Sequence, residues 1–128
     1  MSIVSIVKVD SQEVFNAVKR AVDLVDGLEA LHSDSKVLIK PNLVKPTKSG
    51  SGVITDARVV EAVVRLVLDH GVGEVIIGEG SSVGYDFPGR VDSLTAMEES
   101  GTADVARKYD LRMVDLNRDE VVEVEAED

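Results

Sequence analysis

Thr55-Asp-Ala-Arg-Val-Val-Glu-Ala-Val-Val-Arg-Leu-Val-Leu-Asp-His-Gly-Val-Gly-Glu-Val-Ile-Ile-Gly-Glu-Gly80 decides the fold. In its first part Arg58, Glu61, Arg65 and Asp69 recur at helical spacing and nearly everything else is aliphatic. That pattern predicts a deeply buried helix with one narrow polar stripe, capped by Asp56 and ended at Gly71. In its second part Val75, Ile76 and Ile77 follow one another directly, as in a short strand of a parallel sheet covered on both faces. A buried helix running through a tight turn into such a strand is half of a βαβ crossover.

The same alternation extends in both directions. Upstream, Val37, Leu38 and Ile39 form a second apolar run within a strand over Lys36 to Lys40, stopped by Pro41. Before it, Val14, Val18, Val22 and Val25 have helical spacing, with a capping-box-like start at Asp10 and Glu13. Ile3 to Val9 is short and β-branched and reads as the first strand. Downstream, a short helix is expected from Ser93 to Glu99, then a weak helix or turn from Ala103 to Tyr109. A fourth strand follows from Leu111 to Leu116. Val122, Val124 and Ala126 alternate with Glu123, Glu125 and Glu127, the period of a half-exposed edge strand. Strands alternating with helices predict an α/β fold: a three-layer open sheet, mostly parallel, with helices on both faces. Residues 1–128 are expected to form one α/β domain.

Composition limits what such a domain can do. The chain has 128 residues, 44% hydrophobic and 30% charged, a globular mixture rather than a disordered one. Aromatic residues are 3% and Trp is absent, which removes the stacking platforms that single-stranded nucleic acids require. A net charge of -10 argues against binding a phosphate backbone. With no Cys, disulfides, thiolate nucleophiles, zinc-cysteine sites and cysteine-ligated iron-sulfur clusters are excluded. No apolar stretch approaches the roughly 20 residues of a membrane span, and the opening residues lack a basic start. A cytoplasmic location follows as the expectation.

Ligands of open parallel sheets bind beyond the carboxyl ends of the strands, where helix N-termini and loop amides converge. Those ends present Lys40, Pro41 and Asn42, then Glu79, Gly80, Ser81 and Ser82, then Asp115 and Asn117. Thr55 and Asp56 open the buried helix on the same side. The connection from Pro41 to Thr55 is longer than usual, with only Val44 and Val53 as apolar anchors. From Lys40 to Arg58 four cations face one carboxylate, a net +3 inside an acidic chain. A basic loop beside a helix N-terminus points to an anion such as a phosphate or carboxylate.

Each of these residues also has a plainer role. Loop lysines solubilise, Lys40 can snorkel from a strand end, and Asn42 can cap a turn. Thr55 and Asp56 are ordinary helix caps. Glu79, immediately after a buried strand and between two glycines, is the candidate catalytic residue, as general base, metal ligand or ligand acceptor. The candidate ligand-binding set is Lys40, Asn42, Thr55, Asp56, Gly80 and Ser81, with no metal centre assigned. Gly78, Gly80 and Gly84 miss the dinucleotide-binding spacing, and there is no P-loop. His32 and His70 stand apart from other ligands, and Ser81 and Ser82 lack the histidine of a triad.

Three segments together carry a resemblance: Lys36-Val-Leu-Ile-Lys-Pro-Asn-Leu-Val44, Thr55-Asp-Ala-Arg-Val-Val-Glu-Ala-Val-Val-Arg65 and Gly71-Val-Gly-Glu-Val-Ile-Ile-Gly-Glu-Gly-Ser81. The chain resembles the bacterial and archaeal family called domain of unknown function 362, over nearly its whole length. Ala57 replaces the proline often found there, at no chemical cost. Members of that family are usually longer, and some carry ferredoxin-like cysteine clusters, so the resemblance implies a redox setting for those members and a missing carboxyl-terminal half for this chain. Its layout is distantly similar to the amino-terminal region of nickel-pincer lactate racemases.

The expected function is a small-anion-binding α/β domain, with enzymatic activity and cofactor left open. The alternative is a regulatory or assembly module that works through a homo-oligomer or another chain. The partner expected is a small anionic molecule, with neither nucleic acid nor membrane.

Overall fold

A computed structural model describes residues 3–9, 13–82 and 92–124. The elements in chain order are α1 (Val14–Asp23), β1 (Lys36–Ile39), α2 (Ala57–His70), β2 (Glu74–Glu79), α3 (Ser93–Ser100), α4 (Thr102–Lys108) and β3 (Arg112–Asp115). The three strands are parallel and lie in the order β1-β2-β3. The α/β class and the parallel sheet are as expected.

Local chemistry sets the helix ends. Asp56 lies in extended backbone and its carboxylate accepts from the Arg58 amide at 2.9 Å, starting α2. Gly71 ends it at φ 85°, a left-handed conformation that glycine adopts without steric cost. Asp92 caps α3 by accepting from the Thr95 amide at 2.8 Å. Gly101, at φ 82°, turns the chain from α3 directly into α4. The segment expected from Ala103 as a weak helix or turn is a helix that begins at Thr102, with Ala103 and Ala106 buried.

One apolar cluster joins Ile39, Val75 and Ile77 of the sheet to Val60, Val64 and Val67 of α2 and to Val105 and Ala106 of α4. A second holds Leu43, Ile54, Ala96, Met97 and Ala103, and Met113 packs against both. Register explains the link, because Ile39, Ile77 and Met113 are successive partners on one face. Two crossovers that step the same way along a sheet deliver their helices to the same face. The two faces are accordingly covered unequally. Leu38 is 50% exposed on the opposite face, and β1 is not the doubly covered strand that its apolar run implied. Helix α1 lies against α2, with the Arg65 guanidinium 3.8 Å from the Phe15 ring centroid.

Two expected strands are absent among the described residues. Ile3–Val9 is extended but joins no ladder, and Ser5 instead donates to the Ala21 carbonyl of α1 at 2.6 Å. Val121, Val122 and Val124 are all exposed, so no surface selects one side of that alternating segment. β-Branched sequence favours extended backbone, but a strand needs a partner edge. Asp10, the residues from Val83 to Val91 and the last four residues lie outside the described set. No helix of the described residues is long and apolar enough to cross a membrane.

Candidate functional site

Strands β1, β2 and β3 end at Ile39, Glu79 and Asp115, and the loop before α2 returns to that same edge. Two reciprocal contacts close the loop. The Thr55 amide donates to the Asn42 carbonyl, and the Asn42 amide to Thr55 Oγ1, each at 2.9 Å. Inside this closure Leu43 and Ile54 are buried against α3 and α4, whereas the expected anchors Val44 and Val53 are exposed. The loop is thus a lobe anchored at both ends against α3 and α4, with the residues between exposed or half-exposed.

At the centre of the edge, Lys40 Nζ lies 2.6 Å from Glu79 Oε2. The approach is an ion pair without hydrogen-bond alignment, and Oε2 has no hydrogen-bond partner among the described residues. Glu79 Oε1 accepts from the Leu43 amide at 3.3 Å. Glu79 is buried because β2 is the central strand, while the side chain of Lys40, at the end of an edge strand, is half exposed. The pair ties two strand ends together and holds the start of the lobe.

Beside it lies a buried polar network. Ser93 donates to Asp115 Oδ1 at 2.7 Å, and the Asn117 amide reaches the same oxygen at 3.0 Å. The Ser81 amide donates to Ser93 Oγ at 3.1 Å, and Asn117 Nδ2 to the Ser81 carbonyl at 2.8 Å. A Cβ at Gly80 would stand 2.9 Å from Asn117 Oδ1, so the side chain that bonds the Ser81 carbonyl would have to shift. Ser93 carried no signal beyond a helix start. Its reach to Asp115 depends on α3 packing over the end of β3.

The remaining residues chosen from sequence are brought to the same edge but are engaged locally. Asp56 binds the Arg58 guanidinium at 2.9 Å, and that bond holds its carboxyl below the usual range. The amides that could have held an anion at the start of α2 already have acceptors: Thr55 uses Asn42, Ala57 uses Ser49 Oγ at 2.8 Å, and Arg58 uses Asp56. Three loop groups differ. Lys45 and Lys48 have no carboxylate at ion-pair distance among the described residues, and the buried hydroxyl of Thr47 has no hydrogen-bond partner there. The histidines sit elsewhere: His70 Nε2 is 3.2 Å from the Leu31 carbonyl, and the His32 amide donates to Ser35.

A family model described as Domain of unknown function (DUF362) matches residues 37–128. It begins within β1, so Ile3–Val9 and α1 lie outside the match. Neither a curated protein nor a solved structure matches the chain.

Proposed function

The chain belongs to the family described as Domain of unknown function (DUF362), and we propose that within it this domain binds a small anion, a phosphate or carboxylate, at the carboxyl edge of its sheet. One observation carries the reading. The closed lobe between Asn42 and Thr55 carries the exposed Lys45 and Lys48, neither paired to a carboxylate among the described residues, close in sequence to Thr47, whose buried hydroxyl is unsatisfied there. On a chain of net charge -10, two exposed ammonium groups, unpaired among the described residues, form a local attractive field for anions. Ammonium donors of this kind suit the oxygens of a phosphate or carboxylate. Because the amides at the start of α2 are engaged, the proposal is for an anion against the lobe rather than on the helix N-terminus.

Calorimetric titration with inorganic phosphate and with citrate tests this reading. Saturable binding that falls at least tenfold in Lys45→Gln/Lys48→Gln supports it. Absence of binding at millimolar concentration, or equal binding by that variant, removes it.

A second reading, assembly with another copy of the chain, is favoured by the outer edge of β1. Among the described residues no strand pairs with that edge, and beside it runs a groove of about 460 Å³ lined by Leu28, Leu31, Val37, Leu38 and Val63. Free strand edges with apolar surroundings recruit further strands. Sedimentation velocity over a concentration series distinguishes a monomer from a self-associating species.

A further inference from the structure

We propose that Glu79, Ser81 and Asp115 form a site for a divalent cation of the Mg²⁺ or Mn²⁺ class. Glu79 and Asp115 are register partners at the ends of β2 and β3. Adjacent strands lie about 4.8 Å apart and register partners leave the sheet on the same side, here the side of Ile77 and Met113. The Cβ position of Gly80 faces Leu116 and Asn117. Ser81 lies beside Asp115, because its amide donates to Ser93 Oγ and Ser93 donates to Asp115 Oδ1.

Buried oxygens that accept no hydrogen bond define the site, one of them, Glu79 Oε2, facing only the Lys40 ammonium. Glu79 Oε2, Ser81 Oγ and Asp115 Oδ2 are all buried and have no hydrogen-bond partner among the described residues. Their residues are 3%, 1% and 9% exposed. The other oxygen of Asp115 is already taken by Ser93 and Asn117, and among the described residues the cation at ion-pair distance from Oδ2 is Arg118, with Nε at 3.7 Å. Buried carboxylate oxygens require a compensating charge or donor.

The donor set selects the occupant. Three hard oxygens suit Mg²⁺ or Mn²⁺ rather than the softer metals that histidine and cysteine favour. The described residues contain no group of three or more His, Cys, Asp or Glu suited to a metal, so the full oxygen cage of a calcium site is not built here. Mg²⁺ commonly takes one or two carboxylates, keeps several waters and completes its shell with phosphate oxygens.

Lys40 links this site to the anion reading. Its ammonium now neutralises Glu79 through a half-exposed side chain. A cation between Glu79 and Asp115 takes over that role and releases Lys40 toward an anion on the lobe. Cation and anion then bind with positive, reciprocal coupling. The coupling rests on the anion reading, whereas the cation site does not.

The test uses the intact chain and Mn²⁺ alone, followed by the paramagnetic resonance of the free ion. One Mn²⁺ per chain is expected, displaced by Mg²⁺ and weakened at least tenfold in Asp115→Asn and in Ser81→Ala. Ser81→Ala removes a hydroxyl that bonds to nothing in the described structure, so it should fold, as circular dichroism would verify. No bound Mn²⁺ at millimolar concentration, or equal binding by a folded Ser81→Ala, overturns the site. Phosphate is then titrated with and without Mg²⁺, with at least fivefold tighter binding expected when Mg²⁺ is present. Mn²⁺ bound with no phosphate binding would support the cation site and reject the anion reading. Phosphate bound with no Mn²⁺ binding would do the opposite.

Discussion

The ammonium of Lys40 stands 2.6 Å from Glu79 Oε2, so the ends of an edge strand and the central strand are joined by a charge pair with one buried and one half-exposed member. Lys40→Met leaves the buried carboxylate without its counter-charge. The expected loss is about 1–3 kcal/mol, below the 3–5 kcal/mol of a fully buried pair because water reaches the lysine. Glu79→Gln keeps an acceptor for the Leu43 amide and removes the charge, so Lys40→Met/Glu79→Gln should recover part of the loss. Urea unfolding of both single variants and the double variant measures the coupling. Additive losses would show that the pair contributes no interaction energy.

Two glycines should respond differently to alanine. At Gly73 the new Cβ would lie 2.7 Å from the Ser33 carbonyl oxygen, which is backbone and can move only with its turn. At Gly78 it would lie 2.8 Å from Leu38 Cδ1, the end of a flexible and half-exposed side chain. Gly73→Ala should therefore cost roughly 2 kcal/mol or more and Gly78→Ala less than about 1 kcal/mol. Chemical denaturation of the two variants checks the order.

Acid should destabilise the fold through three identified carboxylates. The Arg58 side chain lowers the pKa of Asp56, the Lys108 side chain lowers that of Glu61, and the Thr95 amide lowers that of Asp92. A folded pKa below the unfolded one gives stability that is complete above the unfolded value, near 4, and lost as pH falls through the folded value. The denaturation midpoint should hold from pH 7 to about 5 and decline from there toward pH 2. Asp92→Asn retains a helix cap without the charge and should flatten that decline. An unchanged slope in Asp92→Asn would show that this carboxylate is not among the causes.

Removal of residues 1–9 should change stability by less than about 1 kcal/mol, because Ile3, Val4 and Ile6 are 70%, 80% and 91% exposed and bury little apolar area. Thermal unfolding of the shortened chain provides the measurement. A loss of several kcal/mol would mean that the segment pairs with a sheet edge in solution.

The lobe should depend on Leu43 more than on its lysines. Leu43 is fully buried in the second cluster, so Leu43→Ala is expected to cost about 3–5 kcal/mol, while Lys45→Gln/Lys48→Gln should fall within about 0.5 kcal/mol of the parent chain. Equilibrium unfolding separates the two effects, and a lysine variant that destabilised as much as Leu43→Ala would mark the lysines as structural.

The amino-acid sequence by itself determined the elements whose signals are local. Asp56 and Gly71 bound α2, the aliphatic runs at Val37–Ile39 and Val75–Ile77 became parallel partners, and both strand ends were placed on the edge where Lys40 and Glu79 meet. Caps, left-handed glycines and hydrophobic period act within a few residues, so sequence carries them. Only the tertiary structure decided which extended segments acquire a partner. Ile3–Val9 and Val121–Val124 have strand-like sequence but no pairing edge among the described residues, and the one-way order of β1, β2 and β3 left Leu38 half exposed. It also decided that Asn42 and Thr55 close a lobe, that the amides of α2 are already occupied, and that Ser93 and Asp115 meet beside Glu79. Such contacts join residues far apart in the chain, and their free energy comes from burial and charge compensation created only when the elements pack.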